Sequence, residues 1–111
     1  MGITKSEKFS EEQNQIANIA KAFAHPARVA ILQQLFKLDA CICGDLVSEI
    51  GLAQPTISQH LKELKKANLI KGTVEGTAIC YCIDENGIEK LERYFSSIAN
   101  QLNEKKKNNC C

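Results

Sequence analysis

The fold of this chain is decided by the stretch from Gly44 to Ile70, GDLVSEIGLAQPTISQHLKELKKANLI. Its first part predicts a short helix, because Leu46, Val47 and Ile50 have the spacing of one helix face. Gly51 should end that helix, since glycine adopts positive φ values at a helix terminus without steric cost. A second helix is expected directly after the tight turn that follows.

This second helix is predicted to begin at Ala53–Gln54–Pro55, where a proline near the first position loses no hydrogen bond. Ile57, Leu61 and Leu64 form its apolar stripe, at i, i+4 and i+7. Two helices joined by a glycine-containing turn are typical of the helix-turn-helix, whose second helix lies in the DNA major groove. An ordinary amphipathic helix with a solvated polar face is the alternative that this pattern alone leaves open.

The polar face of the second helix carries the candidate DNA contacts. Its outward and flanking positions are Gln54, Thr56, Ser58, Gln59, Lys62, Glu63 and Lys66. Glutamine, threonine and serine suit base edges and phosphates, and lysine suits phosphates. The segment from Gln54 to Thr73 has four lysines and one glutamate, whereas the net charge of the whole chain is +1. DNA contact is therefore expected from this local basic patch.

Two more helices are predicted before this stretch. Ser10 and Gln13 form a capping box that opens the first, which should end near Ala24. Pro26 begins the second. That helix should be buried centrally because it is apolar almost all round, at Val29, Ile31, Leu32, Leu35 and Phe36. His25 is interpreted as a structural residue at this helix start, and Arg28 as either a surface ion-pairing residue or a phosphate contact.

A β-hairpin is predicted directly after the recognition helix. Residues 69–75 and 78–84 are the two strands, joined by the tight turn Glu75–Gly76–Thr77. A hairpin in this place is the wing of a winged helix, and Thr77 is a further expected DNA contact. Residues 37–43 are expected to form a connection or a short strand.

The last predicted helix spans residues 87–103. Its apolar residues repeat at alternating spacings of three and four, as in a coiled coil, at Ile88, Leu91, Phe95, Ile98 and Leu102. This seam is longer than a small domain needs, so we interpret it as a dimer interface formed with the first helix. The predicted fold class is mainly α with a small β-hairpin wing, a winged helix-turn-helix. The domain should span residues 10–103, between a flexible arm at 1–9 and a flexible tail at 104–111.

The length of 111 residues allows one small domain with a modest core. No apolar run reaches membrane-spanning length and no signal peptide is visible, so a cytoplasmic protein without membrane contact is expected. Six cysteines in that compartment should be reduced thiols, available for metal or redox chemistry. An enzyme is not expected, because the chain lacks a Cys-x-x-Cys beside a βαβ pattern and a cluster of acid, base and nucleophile.

The chain contains several short motifs within the predicted order of helix, helix, helix-turn-helix, wing and helix. They are His25–Pro26–Ala27–Arg28, Asp45–Leu46, Gln54–Pro55, Ile57–Ser58, His60–Leu61 and Tyr81–Cys82–Ile83. Together they resemble the ArsR/SmtB family of bacterial winged-helix metalloregulatory repressors, in its arsenic-responsive type. The resemblance implies a homodimer that binds a double-stranded operator palindrome and leaves it when an inducer binds. It also implies DNA contacts at Gln54, Thr56, Ser58, Gln59 and His60, to which the basic patch adds Lys62 and Lys66. His60 has a second interpretation, which is packing at the edge of the core stripe.

The family's metalloid box is Cys-x-Cys directly before Asp-Leu, whereas here Gly44 separates Cys43 from Asp45. Val47 occupies the position of the family's third cysteine, so this box supplies two thiols at most. A trivalent metalloid binds three thiolates and Zn(II) or Cd(II) four. The ligand set that we predict therefore adds the tail: Cys41, Cys43, Cys110 and Cys111. The expected inducer is As(III) or Sb(III), with Cd(II) or Zn(II) as further candidates, and DNA binding itself should require no cofactor.

Cys80 and Cys82 form a secondary thiol pair. Strand alternation should turn Ile79, Tyr81 and Ile83 toward the core and both of these cysteines outward, where they could bind a second ion or oxidise. Other roles for the predicted ligands stay open, because Cys41 and Cys43 can be small buried side chains and the terminal pair can be without function. The family's zinc site on the last helix is not expected, because no histidine follows His60.

Two further functions compete with the ion sensor. A repressor on the same scaffold that responds to thiol oxidation or persulfide would release DNA without any metal. A constitutive DNA-binding protein with structural zinc would unfold when the metal is removed, whereas a sensor should stay folded.

Overall fold

The computed structural model describes residues 7–37, 42–43, 50–76 and 78–108. Their elements are α1 (Glu11–Phe23), α2 (Pro26–Lys37), β1 (Ile42–Cys43), α3 (Gln54–Lys66), β2 (Ile70–Glu75), β3 (Ala78–Ile83) and α4 (Glu85–Lys107). This is the predicted order of a winged helix-turn-helix. Several predictions lie outside the described residues: the helix with Leu46 and Val47, and the site residues Cys41, Thr77, Cys110 and Cys111.

Side-chain hydrogen bonds set the starts of the first two helices. The Ser10 Oγ accepts a hydrogen bond from the Gln13 N–H, and the Gln13 Oε1 accepts one from the Ser10 N–H, both at 3.0 Å. The predicted capping box is therefore confirmed. At the start of α2 the His25 Nδ1 accepts the Ala27 N–H at 3.1 Å, which confirms the structural role predicted for His25.

The core is built mainly from α2, α3 and the start of β2. Within the main core cluster, the side chains with relative exposures of 2 % or less are Ile31, Ile57, Leu64, Leu69 and Ile70. The prediction that α2 is buried all round is wrong at Phe36, which is 58 % exposed. A helix turns by about 100° per residue, so Phe36 points away from the core that the preceding Leu35 enters.

The start of α3 follows the sequence prediction. Gly51 has a φ of +82°, the conformation expected of a glycine at the end of a helix. α3 then begins at Gln54 with Pro55 in its first turn, and Ile57, Leu61 and Leu64 are all buried. The face opposite this stripe is therefore the one left for a partner.

The chain approaches itself closely where α4 begins. The Gly87 N–H donates to the Asn68 carbonyl oxygen at 2.8 Å, just after α3. A Cβ on Gly87 would overlap that oxygen, and would lie 2.8 Å from the Asn68 carbonyl carbon and 2.9 Å from the Ala67 oxygen. The docking of α4 on the turn after α3 therefore requires a glycine at this position.

The sheet has three strands in the order β1–β3–β2, with antiparallel pairing throughout. β3 is thus the central strand and not the outer strand of a two-stranded hairpin. Each residue of β3 between Cys80 and Ile83 has a partner on β2, and Cys80 and Tyr81 also have partners on β1. Residues 37–43 were expected to form a connection or a short strand, and Ile42–Cys43 form a strand.

The predicted orientation of β3 is wrong in its first half. Cys80 is 1 % exposed and Ile79 is 49 % exposed, the reverse of the prediction, and Cys82 is half-buried. The prediction assumed a hairpin with one free face, whereas both faces of β3 are partly covered, at Cys80 and Cys82 on one side and at Tyr81 and Ile83 on the other. Tyr81 and Ile83 pack against the core as expected, and Ile79 lies nearer the tip of the wing.

α4 continues to Lys107, so residues 104–107 of the predicted flexible tail are helical. Its apolar seam divides into two parts. Ile88 and Leu91 pack against the core, whereas Phe95, Ile98 and Leu102 are 54 %, 38 % and 53 % exposed. No helix in the described part of the chain, α4 included, is long and apolar enough to cross a membrane.

Candidate nucleic-acid interface and thiol positions

The outer face of α3 presents polar side chains from its first turn to its last. The exposed predicted contacts are Gln54, Thr56, Ser58, Gln59, Lys62 and Lys66. Thr56, Gln59, Lys62 and Lys66 lie on the outward face, whereas Gln54 and Ser58 lie at the start and flank of the helix. Their contacts with DNA remain predictions.

The first turn of α3 is open to an anion. Its N-cap residue is Ala53, whose side chain makes no capping hydrogen bond, and the turn contains no acidic residue. The first N–H groups of a helix have no partner within the helix, and the helix dipole makes this end positive. Lys65 and Lys66 stand in the last turn. Both ends of α3 therefore suit a phosphate backbone.

One acidic side chain interrupts the basic face. The Glu63 Oε2 accepts a hydrogen bond from the Gln59 Nε2 at 3.1 Å and lies 4.0 Å from the Lys66 Nζ. Such exposed ion pairs contribute little to stability. A base edge or phosphate that approaches this face would compete with Glu63 for both donors.

His60 lies on the inner side of α3 and is 6 % exposed. The Arg28 Nε donates to the His60 Nδ1 at 3.2 Å, and the His25 and His60 ring centroids are 4.4 Å apart. The packing interpretation of His60 is the one observed, because its ring is buried against α2, and the DNA contact implied for it stays a prediction. Arg28 is likewise turned inward, as a donor that joins α2 to α3.

The surroundings of His60 favour its neutral form. Burial lowers the pKa of His60 below the usual 6.5, and electrostatic repulsion from His25 and Arg28 lowers it further. A neutral imidazole keeps one nitrogen unprotonated, as the Nδ1 must be to accept the Arg28 hydrogen bond. Protonation would place a positive charge beside the Arg28 guanidinium at the inner face of the recognition helix.

The strand register brings two cysteine positions opposite each other in the sheet. Cys43 of β1 lies opposite Cys80 of β3, and Cys80 and Cys82 are both in disulfide linkage. Within the described residues no group of three histidine, cysteine or acidic side chains is placed to hold a metal ion. The ligand set of Cys41, Cys43, Cys110 and Cys111 stays a prediction. The sequence reasoning missed the meeting of Cys43 with Cys80, for which the only signal was a Cys-x-Cys in each of two strand-forming segments.

Comparison with known proteins identifies the family of this chain. Residues 25–71 match the profile described as bacterial regulatory protein, arsR family. The chain is 38 % identical over 82 residues to an uncharacterised HTH-type transcriptional regulator of Methanocaldococcus jannaschii, a match that covers 73 % of this chain and 91 % of that protein. The protein belongs to the ArsR family. This confirms the resemblance that the motifs indicated.

Two further relatives support the same assignment. Over 73 residues this ArsR-family protein is 38 % identical to the HTH-type transcriptional repressor SmtB of Mycobacterium tuberculosis, a match that covers 66 % of this chain and 53 % of that repressor. A homodimeric winged helix-turn-helix DNA-binding domain from Mycobacterium bovis superposes with a TM-score of 0.61 at 25 % identity, covering 90 % of this chain and 93 % of that one. The ArsR-family protein is accordingly a DNA-binding transcriptional regulator and not an enzyme.

Proposed function

We propose that this ArsR-family protein is a homodimeric, cytoplasmic repressor that binds a double-stranded operator through α3 and the wing. A soft thiophilic ion binds cysteine thiolates and releases the protein from DNA. Arsenite and antimonite are the first candidates for this ion. The exposed polar and basic face of α3, with its uncapped first turn, is the observation that carries the DNA-binding part. The match to a named repressor, SmtB of Mycobacterium tuberculosis, supports repression, and not activation, of transcription by the DNA-bound protein.

The uncovered half of the α4 seam supports the homodimer. Phe95, Ile98 and Leu102 are exposed along one helix, and contiguous exposed apolar surface is typical of an interaction site. The related domain from Mycobacterium bovis is a homodimer. Two copies related by a twofold axis would each place one α3 in one half of a palindromic operator.

The position of the first thiol pair supports the inducer mechanism. Cys41 and Cys43 stand directly before the helix-turn-helix in the sequence, so an ion bound there can change the position of α3. Cys110 and Cys111 follow α4 and supply the remaining thiolates. Because the two binding events are linked, DNA must weaken ion binding by the same factor by which the ion weakens DNA binding.

A second candidate function is a repressor that responds to thiol oxidation on the same scaffold. One observation favours it: Cys80 and Cys82 are in disulfide linkage. In this case an oxidant, and not an ion, would change the affinity for DNA.

The two candidates are separated by titrating a DNA complex of the fully reduced protein under anaerobic conditions. The probe is a labelled duplex that the wild-type protein has selected from a randomised pool. We expect arsenite to release the wild-type protein, and the Cys43→Ser variant to bind the duplex normally but to stay bound. The Cys111→Ser variant reports whether the tail contributes.

Failure of arsenite, antimonite, Cd(II) and Zn(II) to release reduced protein would contradict the ion mechanism and favour oxidation. Release of Cys43→Ser at the same ion concentration as wild type would contradict the proposed ligand set.

A further inference from the structure

The middle strand of the sheet contains two disulfide-bonded cysteines, Cys80 and Cys82. They do not pair with each other, because alternate residues of a strand are about 6.6 Å apart, whereas the Cβ atoms of a disulfide are only about 3.8 Å apart. Each sulfur therefore has its partner on another segment of the chain.

The strand register identifies the partner of Cys80. On the β2 side, Thr73 lies opposite Cys80 and Lys71 lies opposite Cys82, and neither residue contains sulfur. On the β1 side, Cys43 lies directly opposite Cys80. The Cα atoms of such antiparallel pairs are about 4.5–5.5 Å apart, within the range of about 4.4–6.8 Å that a disulfide spans.

We propose that Cys43 and Cys80 form a reversible cross-strand disulfide, a redox modification site that ties β1 to β3. The existence of this site does not depend on the proposed function; only its effect on operator binding does. Cys80 is 1 % exposed, so this position of the sheet is shielded from solvent.

The bond would constrain the DNA-reading part of the molecule. Residues 44–79 form the loop that it closes, and α3 and β2 both lie within that loop. Oxidation links the segment before the helix-turn-helix covalently to the strand that returns from the wing, whereas reduction leaves only the backbone pairing of β1 with β3. The two redox forms should therefore hold α3 and the wing differently and bind the same duplex with different affinities.

The reaction needs an oxidant, for which a small organic disulfide suffices. One protein thiolate attacks a sulfur of that disulfide, forms a mixed disulfide and expels one small thiolate. The second protein thiol, as its thiolate, then displaces the other small thiolate. Two protein thiols have lost two electrons and two protons, and the small disulfide has become two thiols.

The pairing is tested on the full chain with oxidised glutathione. In the Cys41→Ser/Cys82→Ser variant, Cys43 and Cys80 are the cysteines that remain between residues 38 and 90. After oxidation, alkylation and trypsin digestion, we expect a disulfide between peptides 38–62 and 72–90. The matched control is Cys41→Ser/Cys80→Ala, which keeps the diagonal pair of Cys43 and Cys82 and should give about ten-fold less of the linked product.

Equal linkage in the two variants would overturn the pairing, and so would a Cys43 bound mainly to peptide 108–111. Thermal unfolding supplies an independent readout. Because the bond closes a long loop, the oxidised Cys41→Ser/Cys82→Ser protein should melt about 10 °C or more above its reduced form. Adding Cys43→Ser to this variant should remove the shift, and a shift that survives there would contradict the proposal.

DNA binding separates this inference from the proposed function. If wild type forms the linked peptide but binds the selected duplex equally in both redox forms, the proposed effect on DNA binding is overturned. The disulfide between Cys43 and Cys80 would still be established. Reduced protein that binds no duplex at all would overturn the proposed function, whatever the peptide mapping shows.

Discussion

At the residue scale, the junction of α2 and α3 shows what local sequence patterns can and cannot establish. The role of His25 was predictable because its hydrogen bond to the Ala27 N–H is local. His60 stood at the edge of the apolar stripe, so its periodicity allowed two interpretations. Its partner Arg28 is 32 positions away in the sequence, and only the folded chain brings the two together.

The lowered pKa of His60 predicts how stability depends on pH. Because the pKa of His60 is lower in the folded state than its usual 6.5, the unfolded chain takes up a proton first as the pH falls. The stabilisation from the neutral ring is thus complete above about pH 6.5 and is lost progressively as the pH falls toward the folded-state pKa. Urea denaturation at pH 7.5 and 5.5 should show the lower stability at pH 5.5.

The His60→Gln variant keeps a hydrogen-bond acceptor for Arg28 but does not titrate. Its stability should therefore change less between these two pH values than that of wild type. An equal change in both proteins would show that His60 is not the group responsible.

At the element scale, helix starts were predictable and strand pairing was not. Ser10 and Pro55 act within a few residues of their own positions, and the structure confirms both. β1 has only two residues, too few for an alternation pattern, and it pairs with a strand far along the chain. Cys80 was assigned outward because alternation within one strand does not show that both faces of β3 are partly covered.

The contact between Gly87 and Asn68 predicts a stability defect. In Gly87→Ala the new methyl group would overlap the Asn68 carbonyl oxygen, so the start of α4 must move away from the turn after α3. Overpacking of this kind typically costs about 1–3 kcal/mol in the free energy of unfolding. Urea denaturation measures it, with the exposed Glu89→Ala on the same helix as the control, which should change stability by about 0.5 kcal/mol or less. Equal stability of the two variants would show that the close approach is not required.

At the scale of the whole molecule, the sequence predicted the order of elements, the family and the outer face of α3. Each of these depends on motifs contained in one continuous segment. The meeting of Cys43 with Cys80 and the division of the α4 seam depend on which distant segments pack together. A seam of regular spacing does not reveal where the core of its own chain ends and the surface for a second copy begins.

The most direct measurement of DNA recognition by α3 is the salt dependence of binding to a duplex by Lys62→Ala. Lys62 is exposed on the outer face of α3, and Lys105→Ala on α4 is a matched control that removes the same charge. The slope of log K against log salt should become less steep by about 0.9 for each phosphate that the variant no longer neutralises. Lys105→Ala should keep the wild-type slope. A Lys62→Ala variant with the slope and affinity of wild type would contradict the assignment of this face of α3 as the surface that binds DNA.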